Sequence, residues 1–279
     1  MGMKMSGKKK ALLWILTFAV GFIIMWPVYW IIKSSFTQQV DLFKSPIEYR
    51  PIHLTLDNYR QLFQAAGLTE YLKGTVIITA VSLILSVFLC ALAGYGFARC
   101  QTKGLNAAFA FIMFSTMIPG TVTVIPLMTL WRHLGLSDTF GGLVILYFSI
   151  LIPFSTIMYS GFISQIPSSL EEAARIDGAT MAGAFVRIIL PLLKPIMATL
   201  CIINFITCLN EFFTPLMFTT KNVKVMSLLM SSIPKMNQYQ MPWGAISAAG
   251  CMMLLPAILF IVCFEKNIMG GLMMGSIKQ

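Results

Sequence analysis

The run Glu171-Glu172-Ala173-Ala174-Arg175-Ile176-Asp177-Gly178 points most directly to work done on another molecule. Two adjacent carboxylates suit a basic socket on a protein. Small and apolar side chains at Leu170, Ala173, Ala174 and Ile176 give one face that a second surface can approach closely. Gly178 lets the chain turn, by positive φ or by close backbone contact. A second polar group lies inside an apolar run at Asn210 and Glu211, and Glu211 is the only acid within any apolar span. An unpaired carboxylate in hydrocarbon costs at least about 2.5 kcal/mol, so it must face protein or a water-filled path. A pathway or gate role and an interhelical hydrogen bond both satisfy that condition. Asn204, two turns earlier, extends the polar stripe. Pro119 and Gly120, with Pro126, interrupt another apolar run. Such a break suits a gate that lines a cavity, or a plain kink.

Catalytic chemistry has no constellation here. The two histidines, His53 and His133, belong to no ligand spacing. Cys90, Cys100, Cys201, Cys208, Cys251 and Cys263 form no C-x-x-C pair, so no metal site and no disulfide framework is expected. No G-x-x-x-x-G-K loop is present, so this chain binds no nucleotide itself and any ATP-derived energy must arrive from a partner. The net charge of +10 comes without a basic stripe interleaved with aromatics, which excludes nucleic acid as a partner.

The elements that carry these residues are membrane helices. Charged residues make up 11% of the chain, against about 25% in soluble domains, and hydrophobic residues 57%. The apolar blocks approach the roughly 20 residues a spanning helix needs and lack the ten-residue alternation of a barrel. Six spans are expected, in an all-α polytopic membrane protein: 12–32, 74–97, 107–130, 142–163, 195–216 and 244–264. The basic clusters at Lys8-Lys9-Lys10 and at Arg99 and Lys103 flank spans directly and place both termini in the cytoplasm. Residues 1–10 then form a cytoplasmic N-terminus, 11–33 a first transmembrane helix and 34–73 an extracytoplasmic segment. Residues 74–265 form a five-helix core with a cytoplasmic loop at 165–194, and 266–279 a cytoplasmic tail.

The loops carry local signals. Ser168 or Ser169 can cap a helix whose first turn holds Glu171 and Glu172, and Ser169 with Glu172 fits a capping box. A second amphipathic piece contains Phe185, Ile188, Ile189 and Leu190, and Pro191 and Pro195 mark re-entry into the membrane. An interfacial helix lying on lipid is the competing reading, but two adjacent Glu residues fit an anionic leaflet poorly. In the first outer segment, Leu56, Tyr59 and Phe63 predict a short helix capped by Thr55 or Asp57. Residues 220–242, with Asn237, Gln238, Tyr239 and Gln240, form a second polar outer loop. Each outer segment is either a solvated connection or a face for an extracytoplasmic partner.

Glu172-Ala173-Ala174, then Gly178 after three residues, then Ile188-x-Leu190-Pro191 after nine more, resembles the EAA loop of binding-protein-dependent ABC importer permeases. The fuller EEAARIDGA with LPLLKP resembles the carbohydrate branch, and within it the maltose permease type. The resemblance extends to LDNYRQLF at 56–63, GYGFAR at 94–99 and MIPGTVTVIPL at 117–127. It implies a MetI-like six-helix permease that imports a sugar or oligosaccharide. Glycerol phosphate or another organic solute is the alternative, and an ATP-independent secondary transporter is a more distant one. The implied partners are a second, non-identical permease subunit, a cytoplasmic ATPase dimer that holds ATP and Mg, an extracytoplasmic solute-binding protein and the lipid bilayer. It further implies coupling through Glu171, Glu172, Ala173, Ala174, Asp177, Gly178, Leu190 and Pro191, and docking of the tail through Gly271, Gly275 and Lys278. The family often has Trp-Asn-Asp in the fifth span where this chain has Leu209-Asn210-Glu211, and Met273 and Met274 depart from the small residues of the usual tail.

Overall fold

A computed structural model describes residues 7–50, 53–100, 102–234 and 241–274. The described residues form helices and turns, with one isolated antiparallel bridge between Thr37 and Leu54. The long helices are α1 (Gly7–Ser35), α3 (Leu68–Arg99), α6 (Phe140–Ile163) and α13 (Trp243–Met274). Between them lie α2 (Asp57–Gln64), α4 (Lys103–Ser115), α5 (Gly120–His133), α7 (Ser169–Ile176) and α8 (Met181–Ala184). A π-helical turn (Phe185–Ile189) leads to α9 (Leu190–Leu192) and α10 (Lys194–Asn210), followed by α11 (Phe213–Phe218) and α12 (Met226–Ser232).

Among the described residues, four helices are long and apolar enough to cross a membrane, and up to six spans result if each of two bent pairs counts as one. The first bent pair is α4 with α5, at 109°. The break falls before Pro119, which caps α5 in an extended conformation, while Pro126 is accommodated inside the helix. The second joins the 181–192 segment to α10 at 70°. The fifth expected span, 195–216, is corrected by the structure. Helix α10 stops at Asn210, Glu211 is extended at φ −69° and ψ 111°, and a new helix starts at Phe213.

The chain divides into two compact units, one of Met1–Leu68 with Leu229–Leu254 and the other of Thr69–Leu228 with Leu255–Gln279. In the first unit residues 34–68 are tied to each other and to the start of α13. Asn58 donates to the carbonyls of Ser35 and Thr37 at 2.9 Å each, and Gln39 bridges the Met241 carbonyl and the Gly244 N–H. Thr55 Oγ1 accepts from the Asp57 N–H, but the residue at the start of α2 is Leu56, which makes no side-chain cap, so the expected cap by Thr55 or Asp57 is corrected. The face of α2 is corrected by one residue, since Asn58 and Leu62 are buried while Leu56 and Phe63 are exposed. Asn58 can turn inward because both of its amide hydrogens find backbone carbonyls. Residues 237–240 lie outside the described residues.

Two apolar clusters lie among the described residues of the second unit. One packs Ile78, Trp131, Leu143, Leu146, Tyr147 and Leu151 with Phe218 and Val223. The other packs Cys90, Tyr95, Tyr159, Ile163, Ile189, Leu193 and Leu200. Gly94 is required where α3 crosses α6, because a Cβ there would lie 2.6 Å from the Tyr159 Cβ. Between the clusters, Asn204 Nδ2 donates to Ser86 Oγ and Ser155 Oγ at 2.9 Å each, and Ser86 donates to Ser155 at 3.1 Å. One buried polar knot therefore joins α3, α6 and α10.

Candidate functional site

The segment after α6 folds back on itself as two short helices. Ser168 is already helical at φ −63° and ψ −24°, and neither it nor Ser169 makes a side-chain cap. The expected capping box is thus corrected. A capping serine needs an extended backbone, and here the Ser168 carbonyl instead accepts the N–H groups of Glu171 and Glu172 in a tight turn. The C-terminus of α7 is a Schellman turn. Ala179 N–H donates to the Ala174 carbonyl at 2.9 Å and Gly178 N–H to the Arg175 carbonyl at 3.1 Å. Gly178 has φ +89° and nothing near its missing Cβ, so positive φ is what requires the glycine. Thr180 then starts α8, its Oγ1 accepting from Gly183 N–H at 3.1 Å.

The two adjacent carboxylates part company. Glu171 is buried, accepting from Tyr95 Oη at 2.6 Å and from Arg99 Nε at 2.7 Å. Its basic partner is in this chain, which corrects the expectation of an external socket for it. Glu172, Ala173, Arg175, Asp177 and Gly178 are exposed, and Ile176 is 86% exposed. Ala174 and Leu190 are half-buried and Pro191 is exposed. Exposed Leu170, Met181 and Val186 extend the apolar character of this surface.

A second site forms where the two broken helices meet α6. A cavity of about 490 Å³ is lined by Gly120, Thr121, Thr123, Ser149, Glu211 and Thr214 among others. Glu211 Oε1 accepts from Thr214 N–H at 2.8 Å, so this carboxylate caps α11 as well as facing the cavity. It makes no bond to a neighbouring span through its side chain among the contacts described. The expected grouping separates: Gly120 and Glu211 share the cavity, Pro119 caps α5, Asn210 is exposed and Asn204 is buried in the polar knot. Gly271 lies in the last turns of α13, whereas Gly275 and Lys278 lie outside the described residues. No group of three His, Cys, Asp or Glu residues able to hold a metal exists among the described residues.

Two features had no reading in the sequence. Tyr95 and Arg99 stand one turn apart on α3 and so share a face, a spacing visible in GYGFAR. Asp138, at φ +56°, receives the N–H groups of Thr220, Lys221, Asn222 and Val223 and the Thr220 hydroxyl. Burial pushes its carboxyl up, but these donors outweigh burial and hold it well below the usual carboxylate range. Only its place between Gly135 and a helix start hinted at a left-handed aspartate.

Broken apolar helices around a cavity, with a folded segment projecting after the fourth span, define a polytopic transport permease. The chain belongs to the family of binding-protein-dependent transport system inner membrane components, whose model matches residues 91–266. It is 30% identical over 275 residues to the trehalose transport system permease protein SugB of Mycobacterium tuberculosis, covering 98% of this chain and 99% of that one. It is 31% identical to the trehalose/maltose transport system permease protein MalG of Thermococcus litoralis, covering 97% of each. A chain from a bacterial ABC transporter that imports the acidic polysaccharide alginate superposes with a TM-score of 0.79 at 20% identity, covering 95% of this chain and 99% of that one. The MetI-like ABC permease fold follows, and this chain is a transporter's membrane subunit rather than an enzyme.

Proposed function

We propose that this permease imports a sugar or oligosaccharide, and that ATP hydrolysed with Mg on a separate cytoplasmic ATPase dimer drives it through the 169–191 segment. The observation that carries the coupling role is the outward face of α7. Glu172, Ala173, Ile176 and Asp177 stand clear of the protein on a helix closed by the left-handed Gly178. The named substrates of its relatives, trehalose, maltose and multiple sugars, support the solute class. A sulfoquinovosyl glycerol permease at 30% identity adds a glycosylated glycerol to that class, and another organic solute remains the alternative. The remaining partners in this reading are a second, non-identical permease and an extracytoplasmic solute-binding protein. The cavity with Glu211 and Gly120 serves as part of the solute path or its gate.

The test is uptake by the reconstituted importer carrying Glu172→Lys or Gly178→Pro. Both should lose most solute uptake at normal expression of the permease. Wild-type uptake in both would remove the coupling role from this segment.

A further inference from the structure

We propose that Arg99, Tyr95 and Glu171 form a strut that makes the cytoplasmic end of α3 and the projecting α7 one rigid body. This deepens the coupling role proposed above and rests on it. In this division of labour Glu171 positions the segment and the outward face of α7 makes the contact.

The geometry separates the two glutamates by function. Adjacent residues on a helix point about 100° apart, and here Glu171 is 9% exposed while Glu172 is exposed. Each Glu171 oxygen has its own donor, Oε2 from Tyr95 Oη at 2.6 Å and Oε1 from Arg99 Nε at 2.7 Å. The same guanidinium donates through Nη2 to the Ile166 carbonyl at 2.7 Å, just beyond the end of α6. One side chain at the last position of α3 thus holds the exit from α6 and the first turn of α7. Tyr95 adds a grip on the returning limb, since its ring lies 4.9 Å from that of Phe185.

A segment attached only by its two chain ends could swing without moving the spans. A forked, charge-assisted contact has one good geometry, and a buried carboxylate cannot leave its cation without a large penalty. Displacement of α7 is therefore passed to α3, a continuous helix from Leu68 to Arg99 that also carries Ser86 of the polar knot.

The experiment measures solute imported per ATP hydrolysed by the full importer in proteoliposomes. Glu171→Gln and Arg99→Gln should co-purify with the ATPase and hydrolyse ATP, while the imported-solute ratio falls roughly two- to thirtyfold. Tyr95→Phe, which keeps the ring packing and removes one hydrogen bond, should give a smaller fall in the same ratio. The exchanged pair Arg99→Glu with Glu171→Arg should recover part of the loss. An unchanged ratio in Glu171→Gln and Tyr95→Phe overturns the strut. Loss of assembly in the charge variants with an unchanged ratio in Tyr95→Phe also overturns it, because the contact would then serve folding only. Glu172→Lys separates the two ideas. If it abolishes uptake while Glu171→Gln keeps the ratio, only the strut fails; if it and Gly178→Pro both leave uptake intact, the underlying coupling role fails.

Discussion

The carboxylates of this chain show how far environment divides residues of one type. Glu211 faces a cavity yet satisfies the first free amide region of α11, so its charge and its acceptor oxygen can be tested separately. Glu211→Gln keeps an acceptor for the Thr214 N–H and removes the charge. It should leave the protein assembled and raise the KM for solute uptake. Glu211→Leu removes both and should destabilise the protein by about 0.5–2 kcal/mol, the usual loss when a helix's first turn loses its side-chain acceptor. Asp138 is the opposite case, a carboxylate whose work is to hold residues 220–223 through their backbone. Its native pKa is depressed, so its stabilisation is complete above the unfolded value of about 3.9 and is lost as pH falls towards the native one. Asp138→Ala should lower the melting temperature at pH 7 by more than at pH 3, as thermal unfolding in detergent would register. An equal loss at both pH values would mean that the charge contributes nothing.

At the scale of elements, the polar knot decides how three spans are held in register. Asn204 reaches Ser86 on α3 and Ser155 on α6 from α10, and all three side chains are buried. Hydrogen bonds between spans contribute on average about 0.6 kcal/mol, up to about 1.7 kcal/mol. Asn204→Leu breaks two of them and should cost roughly 1–2 kcal/mol in detergent stability. The two serines remain paired with each other, so the loss should be smaller than for an orphaned group. Solute preference should not change, because Asn204 does not line the Glu211 cavity. A changed preference with unchanged stability would return Asn204 to the solute path. The element scale also shows what the sequence could reveal. Apolar blocks located α1, α3, α6 and α13, because length and hydropathy specify a span, but they missed ends that leave the apolar run: α3 starts at Leu68 rather than at 74, and α13 continues to Met274 rather than ending at 264. The turn at Gly178 was equally legible, since a left-handed residue at a helix end selects glycine. The break at Glu211 was not, because the flanking apolar run continues through Phe212 and Phe213 and hydropathy does not register a backbone that turns extended for one residue. The partner of Glu171 was hidden for a different reason. It lies 72 residues away in sequence, and only the packing of α3 beside the segment brings Arg99 to it.

At the scale of the whole molecule, the question is how far the chain reaches beyond the lipid. Helix α13 runs unbroken for 32 residues, from Trp243 to Met274. At 1.5 Å per residue that is about 48 Å, against about 30 Å of hydrocarbon. A helix that long must tilt strongly or project from the membrane. In the orientation expected from the basic clusters at Lys9, Lys10 and Lys103, which puts them in the cytoplasm, the surplus falls on the Gly271 end. We therefore expect the end of α13 that holds Gly271 to reach the ATPase. A single cysteine at Ser276, in a protein freed of its other cysteines, should be labelled only from the cytoplasmic side. Deleting the chain after Gly270 should leave the spans inserted and lower solute-stimulated ATP hydrolysis in the assembled importer. Since a segment docked on a partner acts on coupling and not on membrane insertion, the deletion should leave permease abundance unchanged. Full stimulation after the deletion, or labelling of position 276 from outside, would show that the projecting end makes no contact of consequence.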